Sequence, residues 1–301
     1  MKVIAITLLA ALSAEIALRL NENNLSLNLR HISEIPALAR QLHYGARPRI
    51  LFLGNSYTRR DTDLQSMAES LKTHGISNLN AVKAVPDATS IIDWHYTFQT
   101  FFEHTKNVPD IVVIGFTINR HLSDKSPIDV RLLSRRFCRI QYVTEVFRHD
   151  ITDADKRILF LLSRASSVVG NQYHVRQRLL DKIIPNYRFG AQEINRLSRI
   201  QTTAEQNNNH TFTRLERFMA LMRKHGIITV FVAMPAPRQE YFHPKLESTI
   251  IESGGIFIDC RSVPGINSGS FIDGCYLNKS SAKTYSSYLA EQLVDIIKKI
   301  Q

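Results

Sequence analysis

Short apolar runs alternate with amphipathic segments along most of the chain. Continuous apolar runs at residues 50–53 and 111–114, and the mostly apolar segment 227–233, are typical of strands that are buried on both faces of a parallel sheet. Segments 78–85 and 255–259 predict two further strands. Because helix-like segments separate these strands, the pattern predicts an α/β fold with a mostly parallel five-stranded sheet and right-handed crossovers.

The segments between the strands carry apolar residues at three- and four-residue spacing, which is the period of a helix that buries one face. Leu64, Met67 and Leu71 follow this period after the first strand, and Tyr285, Leu289 and Leu293 follow it near the end of the chain. Flanking helices are predicted at 61–74, from the turn at 86–90 through 102, at 213–224 and at 280–300.

The stretch from about 126 to 212 departs from this alternation because its segments are mostly helix-like. We predict a helical insertion with helices at 130–147, 153–169 and 175–184, the last of which ends before Pro185. A polar loop is expected at 206–209.

Residues 1–20 predict a membrane signal-anchor or a signal peptide. Residues 3–14 carry no charge, a length typical of a signal-peptide apolar region. Counted through Leu20, the segment is long enough to span a membrane if Glu15 and Arg19 lie near the interface. An uncleaved anchor is the favoured interpretation. Cleavage, or a cytosolic protein with an apolar first helix, are the alternatives.

Lys2 favours an N-terminus that stays inside and a body that faces the periplasm or cell exterior, with the bacterial inner membrane as the favoured location. Three arginines on the other side, Arg19, Arg30 and Arg40, weigh against this orientation. Residues 21–47 predict a polar connector in which Pro36 begins a short helix. The α/β domain is expected to occupy 48–301.

Composition and charge limit the partners. The 301 residues are 44% hydrophobic and 22% charged, which is ordinary for a globular protein. The net charge of +11 is scattered along the chain. Such a field attracts an anionic partner such as a phospholipid surface or an acidic polysaccharide. No nucleic acid is expected, because no recognisable reading module accompanies the charge.

The chain has three cysteines, Cys138, Cys260 and Cys275, and no Cys-x-x-Cys pair. No metal site and no cofactor are therefore predicted. Cys260 and Cys275 could form a disulfide in an oxidising compartment or remain two thiols. Cys138 is expected in the core.

Candidate chemistry follows the first strand, where Gly54, Asn55 and Ser56 lead into a helix. A serine at the carboxyl edge of a parallel sheet, beside free backbone N–H groups, is suited to attack a substrate that develops an oxyanion. The alternative is that Ser56 only caps the helix or turn. The segment 115–119 and the turn around Pro86 are expected at the same edge.

The order of these segments resembles the SGNH (GDSL-like) hydrolase superfamily, whose members include esterases, lipases and acyl-handling proteins of bacterial envelopes. Gly54-Asn55-Ser56 matches the first block of that family, and Asn119 follows strand three as its Asn block does. Residues 273–278, Asp-Gly-Cys-Tyr-Leu-Asn, match the frame of the last block, Asp-x-x-His-Leu-Asn. The resemblance covers 48–124 and 213–298 and implies a flavodoxin-like sheet.

The resemblance implies Ser56 as nucleophile, Asn119 as oxyanion donor and Asp273 as the group that orients the base. Two positions depart from the family. Tyr276 occupies the position of the catalytic histidine, and an unperturbed tyrosine, with a pKa near 10, is not the usual base. Asp87 or the following alanine, Ala88, stands where the second block supplies a glycine.

A substitute base is sought among three histidines, His243, His121 and His95, of which His243 is the favoured candidate. Asn55, Asp87 and Tyr276 are the predicted binding residues of the cleft.

Two functions follow from these residues. The first is an O-acyl esterase or acyltransferase that acts through Ser56 on an acylated envelope polysaccharide or another envelope ester. The second is a catalytically degenerate SGNH-type protein that binds glycan, or an envelope protein partner, without hydrolysis.

Overall fold

The computed structural model describes residues 2–187, 190–191, 194, 210–238 and 241–300. The predicted loop at 206–209 and the last part of the predicted insertion lie outside these residues. The chain divides into two compact units, Met1–Glu34 with Ile128–Gln192, and Ile35–Pro127 with Glu193–Gln301.

The second unit is built on five parallel strands in the order β2-β1-β3-β4-β5. The strands are β1 (Arg49–Leu53), β2 (Asn80–Ala84), β3 (Ile111–Phe116), β4 (Ile228–Ala233) and β5 (Ile256–Asp259). All five predicted strands are confirmed. The central strand β3 is buried throughout, as its apolar sequence requires. The strand order confirms the predicted flavodoxin-like sheet.

Helices flank this sheet, and several begin at a capping side chain. Asp63 accepts hydrogen bonds from the N–H groups of Gln65 and Ser66, and Asn278 accepts one from Ser281. Such caps satisfy N–H groups that have no partner inside the helix. Among the described residues the α-helices are α1 (Lys2–Asn21), α2 (Leu27–Tyr44), α3 (Ser56–Asp61), α4 (Leu64–Thr73), α5 (Ile91–Phe98), α6 (Val130–Leu132), α7 (Val143–His149), α8 (Ala154–Ala165), α9 (Ser167–Gly170), α10 (Gln172–Ile183), α11 (Thr213–Lys224), α12 (Pro244–Glu252) and α13 (Lys279–Lys298).

The closing helix α13 completes the core on one side of the sheet. Its residues Tyr285, Leu289 and Leu293 are buried with Met67 and Leu71 of α4, in the arrangement that the three- and four-residue spacing predicted. These contacts hold together two segments that are more than 200 residues apart in sequence.

A short hairpin precedes α13. Phe271–Ile272 (β6) pairs antiparallel with Tyr276–Leu277 (β7). Three residues, Asp273, Gly274 and Cys275, connect the two strands, and the first two have positive φ, +55° and +62°. Aspartate and glycine are among the residues that adopt positive φ in turns at low cost.

The first unit contains α1 and helices α6 to α10. The predicted helix at 130–147 is divided, because α6 continues as a π-helical turn at Leu133–Phe137 and α7 begins only at Val143. The predicted helix at 153–169 is likewise two helices, α8 and α9, with Ser166 extended between them. A pattern of apolar residues does not show where such a break falls, because residues on both sides keep helical spacing.

Two other sequence predictions are corrected. Pro36 does not begin a helix but lies inside α2. The predicted helix at 61–74 is two helices, α3 and α4, separated by Thr62 and Asp63. Of the two alternatives for Cys260 and Cys275, the structure has the free thiols, and Cys138 is buried as predicted.

The segment Lys2–Asn24 is long and apolar enough to cross a membrane, a test that signal sequences also pass. None of the α1 residues is buried.

Candidate functional site

The turn between β1 and α3 is held by hydrogen bonds to a single carbonyl. Trp94 Nε1 and Thr89 Oγ1 both donate to the carbonyl oxygen of Gly54, at 2.9 and 3.0 Å. A Cβ on Gly54 would lie 2.1 Å from Thr58 Oγ1. Glycine is therefore needed here because Thr58 approaches the backbone too closely for any side chain.

Asn55 links this turn to its surroundings. Its Oδ1 accepts a hydrogen bond from the Tyr57 N–H at 3.0 Å, which caps α3. Its Nδ2 lies 3.4 Å from the Thr89 carbonyl oxygen and 3.3 Å from Nε2 of His121. Because Asn55 is buried, these hydrogen bonds hold the backbone that leads into Ser56 in place.

Ser56 begins α3 at the carboxyl edge of the sheet and is half-buried. The hydroxyl of Tyr276 donates a hydrogen bond to Ser56 Oγ at 3.1 Å. No histidine contacts Ser56 Oγ in the part of the chain that the structure describes. Among the described residues, the side-chain hydrogen-bond partner of Ser56 Oγ is therefore a phenol hydroxyl.

The Tyr276 ring is covered by a cation. The guanidinium carbon of Arg60 lies 4.1 Å from its centroid, and the ring of Tyr57 lies 5.3 Å away. The distance of 4.1 Å between the Arg60 guanidinium and the Tyr276 ring is within the range of a cation–π interaction. Among the described residues, Arg60 has no carboxylate ion-pair partner. Its exposed charge is thus available to a ligand at the mouth of the cleft.

A cavity of about 560 Å³ opens beside Arg60 and Tyr276. Its lining carries four basic side chains and one carboxylate: Arg59, Arg60, Lys83, Lys279 and Asp63. The Lys83 ammonium group makes its hydrogen bonds within the protein, since its Nζ donates to the carbonyl oxygens of Arg59 and Thr62 at 3.0 and 2.7 Å. Burial lowers the pKa of Lys83.

Asp61, at the end of α3, is buried beneath the hairpin strand β7. Its Oδ1 accepts a hydrogen bond from the Leu277 N–H at 3.1 Å. Its Oδ2 has no hydrogen-bond partner among the described residues. Burial raises the pKa of Asp61 to about 8, although the Leu277 N–H, Arg60 and Lys83 oppose this. Asp61 therefore holds the backbone next to Tyr276 in place.

The structure gives Asn119 and His243 a different connection from the one predicted. Asn119 Nδ2 donates to the Tyr241 carbonyl oxygen at 3.0 Å, and its Oδ1 accepts from the His243 N–H at 2.8 Å. Both ends of the amide therefore hold the loop after β4. The predicted oxyanion donation by Asn119 would compete with these bonds.

His243 is the N-cap of α12, where its Nδ1 accepts a hydrogen bond from the Lys245 N–H at 3.2 Å. The rings of His210 and Phe212 lie 5.9 Å from the His243 ring. His95, the third candidate base, is buried in α5 with Tyr96 5.0 Å away, as a core histidine. No contact joins either histidine to Ser56 in the described part of the chain.

His121 is the candidate base that comes nearest to the serine segment, through Asn55. Burial, together with the charge of Arg120, lowers the pKa of His121 to about 4. The imidazole is therefore neutral at pH 7 and can accept a proton, but only as a weak base.

The negative charge of the Asp87 carboxylate is paired with a cation. Arg59 forms an ion pair with its carboxylate at 2.6 Å. The residue in glycine-like backbone conformation is Ala88, with φ +56°. Of the two residues predicted to stand where the SGNH pattern supplies a glycine, Asp87 and Ala88, it is therefore the alanine that lies in the left-handed region.

Asp273 is a turn residue of the hairpin between β6 and β7. Its side chain is exposed, and no side-chain hydrogen bond or ion pair of Asp273 exists among the described residues. The predicted role, to orient a base, has no contact to support it. In the same residues, no group of three or more His, Cys, Asp or Glu side chains is arranged to hold a metal ion.

Two residues of this site, Arg60 and Asp61, are not among the site residues that the sequence predicted. The Arg59-Arg60 pair was noticeable as a charge next to Ser56, but the pattern did not show that one arginine pairs with Asp87 and the other covers Tyr276. No sequence signal distinguishes Asp61 from an ordinary helix-end carboxylate.

No protein-family profile matches the sequence, and no curated protein is similar to it. Among solved structures, the chain is similar to a lipase/acylhydrolase from Enterococcus faecalis, with a TM-score of 0.42, 11% identity, and coverage of 84% of this chain and 97% of that one. It is also similar to a GDSL-like lipase from Bacteroides thetaiotaomicron, with a TM-score of 0.39, 12% identity, and coverage of 88% and 98%. A catalytic mutant of an acetylxylan esterase from Geobacillus stearothermophilus gives a TM-score of 0.41, 10% identity, and coverage of 83% and 95%. Values at this level assign no activity to the chain.

Proposed function

We propose that this chain is a membrane-anchored protein of SGNH-type fold that binds an anionic, acylated envelope glycan beside Ser56 without hydrolysing it. The observation that carries the proposal is the 3.1 Å hydrogen bond from the Tyr276 hydroxyl to Ser56 Oγ. It puts a hydrogen-bond donor, rather than a base, against the serine.

The rest of the site supports binding over hydrolysis. Loss of one member of a catalytic triad lowers the rate by about 10⁴-fold or more. Both ends of the Asn119 amide bond the loop after β4, so oxyanion stabilisation would require these bonds to break. Hydroxyl groups held at a cleft are well suited to exchange hydrogen bonds with the hydroxyls of a sugar.

The charge of the cleft supports an anionic ligand. Arg60 and Lys279 are exposed at the cavity, and Asp63 is its one lining carboxylate, already committed to capping α4. The net charge of +11 raises the local concentration of anionic polymers around the chain. A glycan that carries carboxylates or phosphates fits this surface better than a neutral one.

The location follows from α1. Its length and apolar composition support a membrane anchor, and Lys2 at its start supports a body that faces the periplasm or cell exterior. An acylated envelope glycan, or an envelope protein that carries one, is the partner expected at that surface.

Calorimetry on the full chain in detergent micelles tests this function. Oligogalacturonate serves as the anionic probe and a xylooligosaccharide as the neutral one. We expect binding of the anionic probe, and a loss of about tenfold in affinity in Arg60→Gln, since one charged contact contributes about 1.5 kcal/mol. Arg40→Gln, at an exposed arginine of α2, is the matched control. Equal affinity for both probes, or none for either, would contradict the proposal.

A second candidate is ester hydrolysis or acyl transfer by Ser56. The observation in its favour is His121, which is neutral at pH 7 and bonded to the residue next to the serine. The test is turnover of p-nitrophenyl acetate and labelling by a serine-directed phosphonate. Turnover and labelling that vanish in Ser56→Ala and fall in His121→Gln would favour the enzyme. The absence of both in the wild type would exclude it.

A further inference from the structure

Helix α8 presents an apolar face to solvent. Ile158, Leu161, Leu162 and Ala165 recur at i, i+3, i+4 and i+7, and all four are exposed. Phe160 and Ser163 on the opposite face are the buried residues of this helix. This is the inverse of a helix that packs only on a protein core, whose apolar stripe faces inward.

Helices α9 and α10, in the same compact unit, also expose apolar side chains. Val168 of α9 is 41% exposed, and Tyr173, Leu179 and Ile183 of α10 are 62%, 53% and 72% exposed. The three α10 residues lie within an arc of about 120° at 3.6 residues per turn. No residue of α10 is buried. Exposed apolar side chains concentrated in one set of helices indicate a contact surface.

The membrane-type helix α1 is joined to this surface through Glu15. The Glu15 carboxylate accepts hydrogen bonds from Ser166 Oγ, the Ser167 N–H and the Val168 N–H, at 2.8, 2.7 and 3.2 Å. It thereby bonds the junction between α8 and α9. Arg19, one turn later, pairs with Glu15 at 2.7 Å. The charges of Glu15 and Arg19 are thus satisfied at the level of that junction.

A second link lies one more turn along the chain. Glu22 pairs with Arg135 at 2.5 Å and accepts a hydrogen bond from Asn171 Nδ2 at 3.2 Å. Asn171 immediately precedes α10. The end of α1 is therefore connected to helices α8, α9 and α10 at two levels, within one compact unit.

The length of α1 before this junction is too short for a complete span. Residues 3–14 are twelve uncharged residues, which extend about 18 Å at 1.5 Å per residue. The hydrocarbon core is about 30 Å thick. Helices that lie in the interface bury their apolar faces about 5–10 Å deep. If α8 to α10 lie at that depth, the junction at Glu15 is lowered by about 5–10 Å, which reduces the missing length of about 12 Å.

We propose that α8, α9 and α10 form a membrane platform, which is embedded by its exposed apolar side chains in the same leaflet that α1 enters. This rests on the membrane anchoring proposed above and adds the second surface that contacts the lipid. The occupant is a phospholipid bilayer with anionic headgroups, because α10 carries Arg176, Arg178 and Lys182 against the single acid Asp181.

Depth-dependent quenching tests the platform on the full chain in vesicles of phosphatidylethanolamine and phosphatidylglycerol. An environment-sensitive fluorophore is attached at Leu161→Cys, at Leu9→Cys in α1, and at Ile251→Cys in α12. Ile251 is the matched control, since it is an apolar residue 55% exposed in the other unit. The three native cysteines are buried, so labelling is directed to the introduced one.

The platform predicts that nitroxides near the headgroups quench the label at 161 several-fold more strongly than the label at 251, while nitroxides deep in the chains quench the label at 9. Quenching at 9 but not at 161 would overturn the platform and leave the anchor standing. Quenching at neither position would overturn both. A label at 161 with apolar emission that lipid nitroxides do not quench would show that a protein covers this surface, and would also overturn the proposal.

Discussion

The Tyr276 hydroxyl and Ser56 Oγ lie 3.1 Å apart, joined by a hydrogen bond between residues 220 positions apart in sequence. Arg60 covers the tyrosine ring, and Asp61, the next residue, bonds the backbone of Leu277. Three separate contacts, made by Ser56, Arg60 and Asp61, therefore connect the short helix α3 to the hairpin before α13. Each of the following variants tests one connection or strained position of this site.

Tyr276→Phe removes the hydroxyl and leaves the ring. We expect the free energy of unfolding to fall by about 1 kcal/mol, the usual net contribution of such a hydrogen bond. Urea unfolding measures the change. Tyr44→Phe, at a tyrosine 84% exposed, is the control and should lie within about 0.5 kcal/mol of wild type. Equal stability of the two variants would show that the bond contributes nothing.

Asp61→Asn changes how stability depends on pH. The pKa of Asp61 rises from its ordinary 3.8 to about 8 in the folded protein, so the folded state holds a proton that the unfolded chain releases. The stability contributed by this proton is complete below the ordinary pKa and is lost as pH rises through about 8. Asparagine has no such loss and can still accept the Leu277 hydrogen bond.

The stability of Asp61→Asn relative to wild type should therefore increase steadily from pH 5 to pH 8 in urea unfolding. Asp295→Asn, at an exposed carboxylate of α13, controls for the general effect of a lost charge. A difference between wild type and Asp61→Asn that stays constant over this range would contradict the raised pKa.

Ala88→Gly should stabilise the protein. Alanine at φ +56° carries a strain of about 1–2 kcal/mol, which glycine relieves. Glycine also makes the unfolded chain more flexible, which lowers the free energy of unfolding by about 0.4–1 kcal/mol. The expected net gain is about 0.5–1 kcal/mol, measured by thermal and urea unfolding. Ala68→Gly, inside helix α4, should instead destabilise by about 1 kcal/mol. The same sign for both variants would refute the strain at Ala88.

Asn119→Ala removes both bonds to the loop after β4. We expect a loss of about 1–3 kcal/mol, because the Tyr241 carbonyl and the His243 N–H lose their partner on a buried side chain. Asn107→Ala, at a half-buried asparagine with no side-chain hydrogen bond in the described part of the chain, is the control. A variant as stable as this control would free Asn119 for a catalytic role.

The sequence by itself determined the sheet and the position of the serine. Runs such as 111–114 are apolar at every position, and only a strand covered on both faces buries all of them, so β3 could be predicted. Gly54 marks the turn because a side chain there would meet Thr58. Helix breaks, such as the one at Thr62 and Asp63, escaped prediction because apolar spacing continues across them.

Only the tertiary structure decided what surrounds the serine. A motif gives the order of Ser56, Asn119 and residue 276, but not whether an amide is already bonded elsewhere, as Asn119 is to Tyr241 and His243. The same holds for Arg60, since its position over Tyr276 depends on where a distant hairpin packs. Local sequence specifies strands and turns because their forces act between near neighbours. The hydrogen-bond partners of buried side chains are chosen only when distant segments meet in the folded chain.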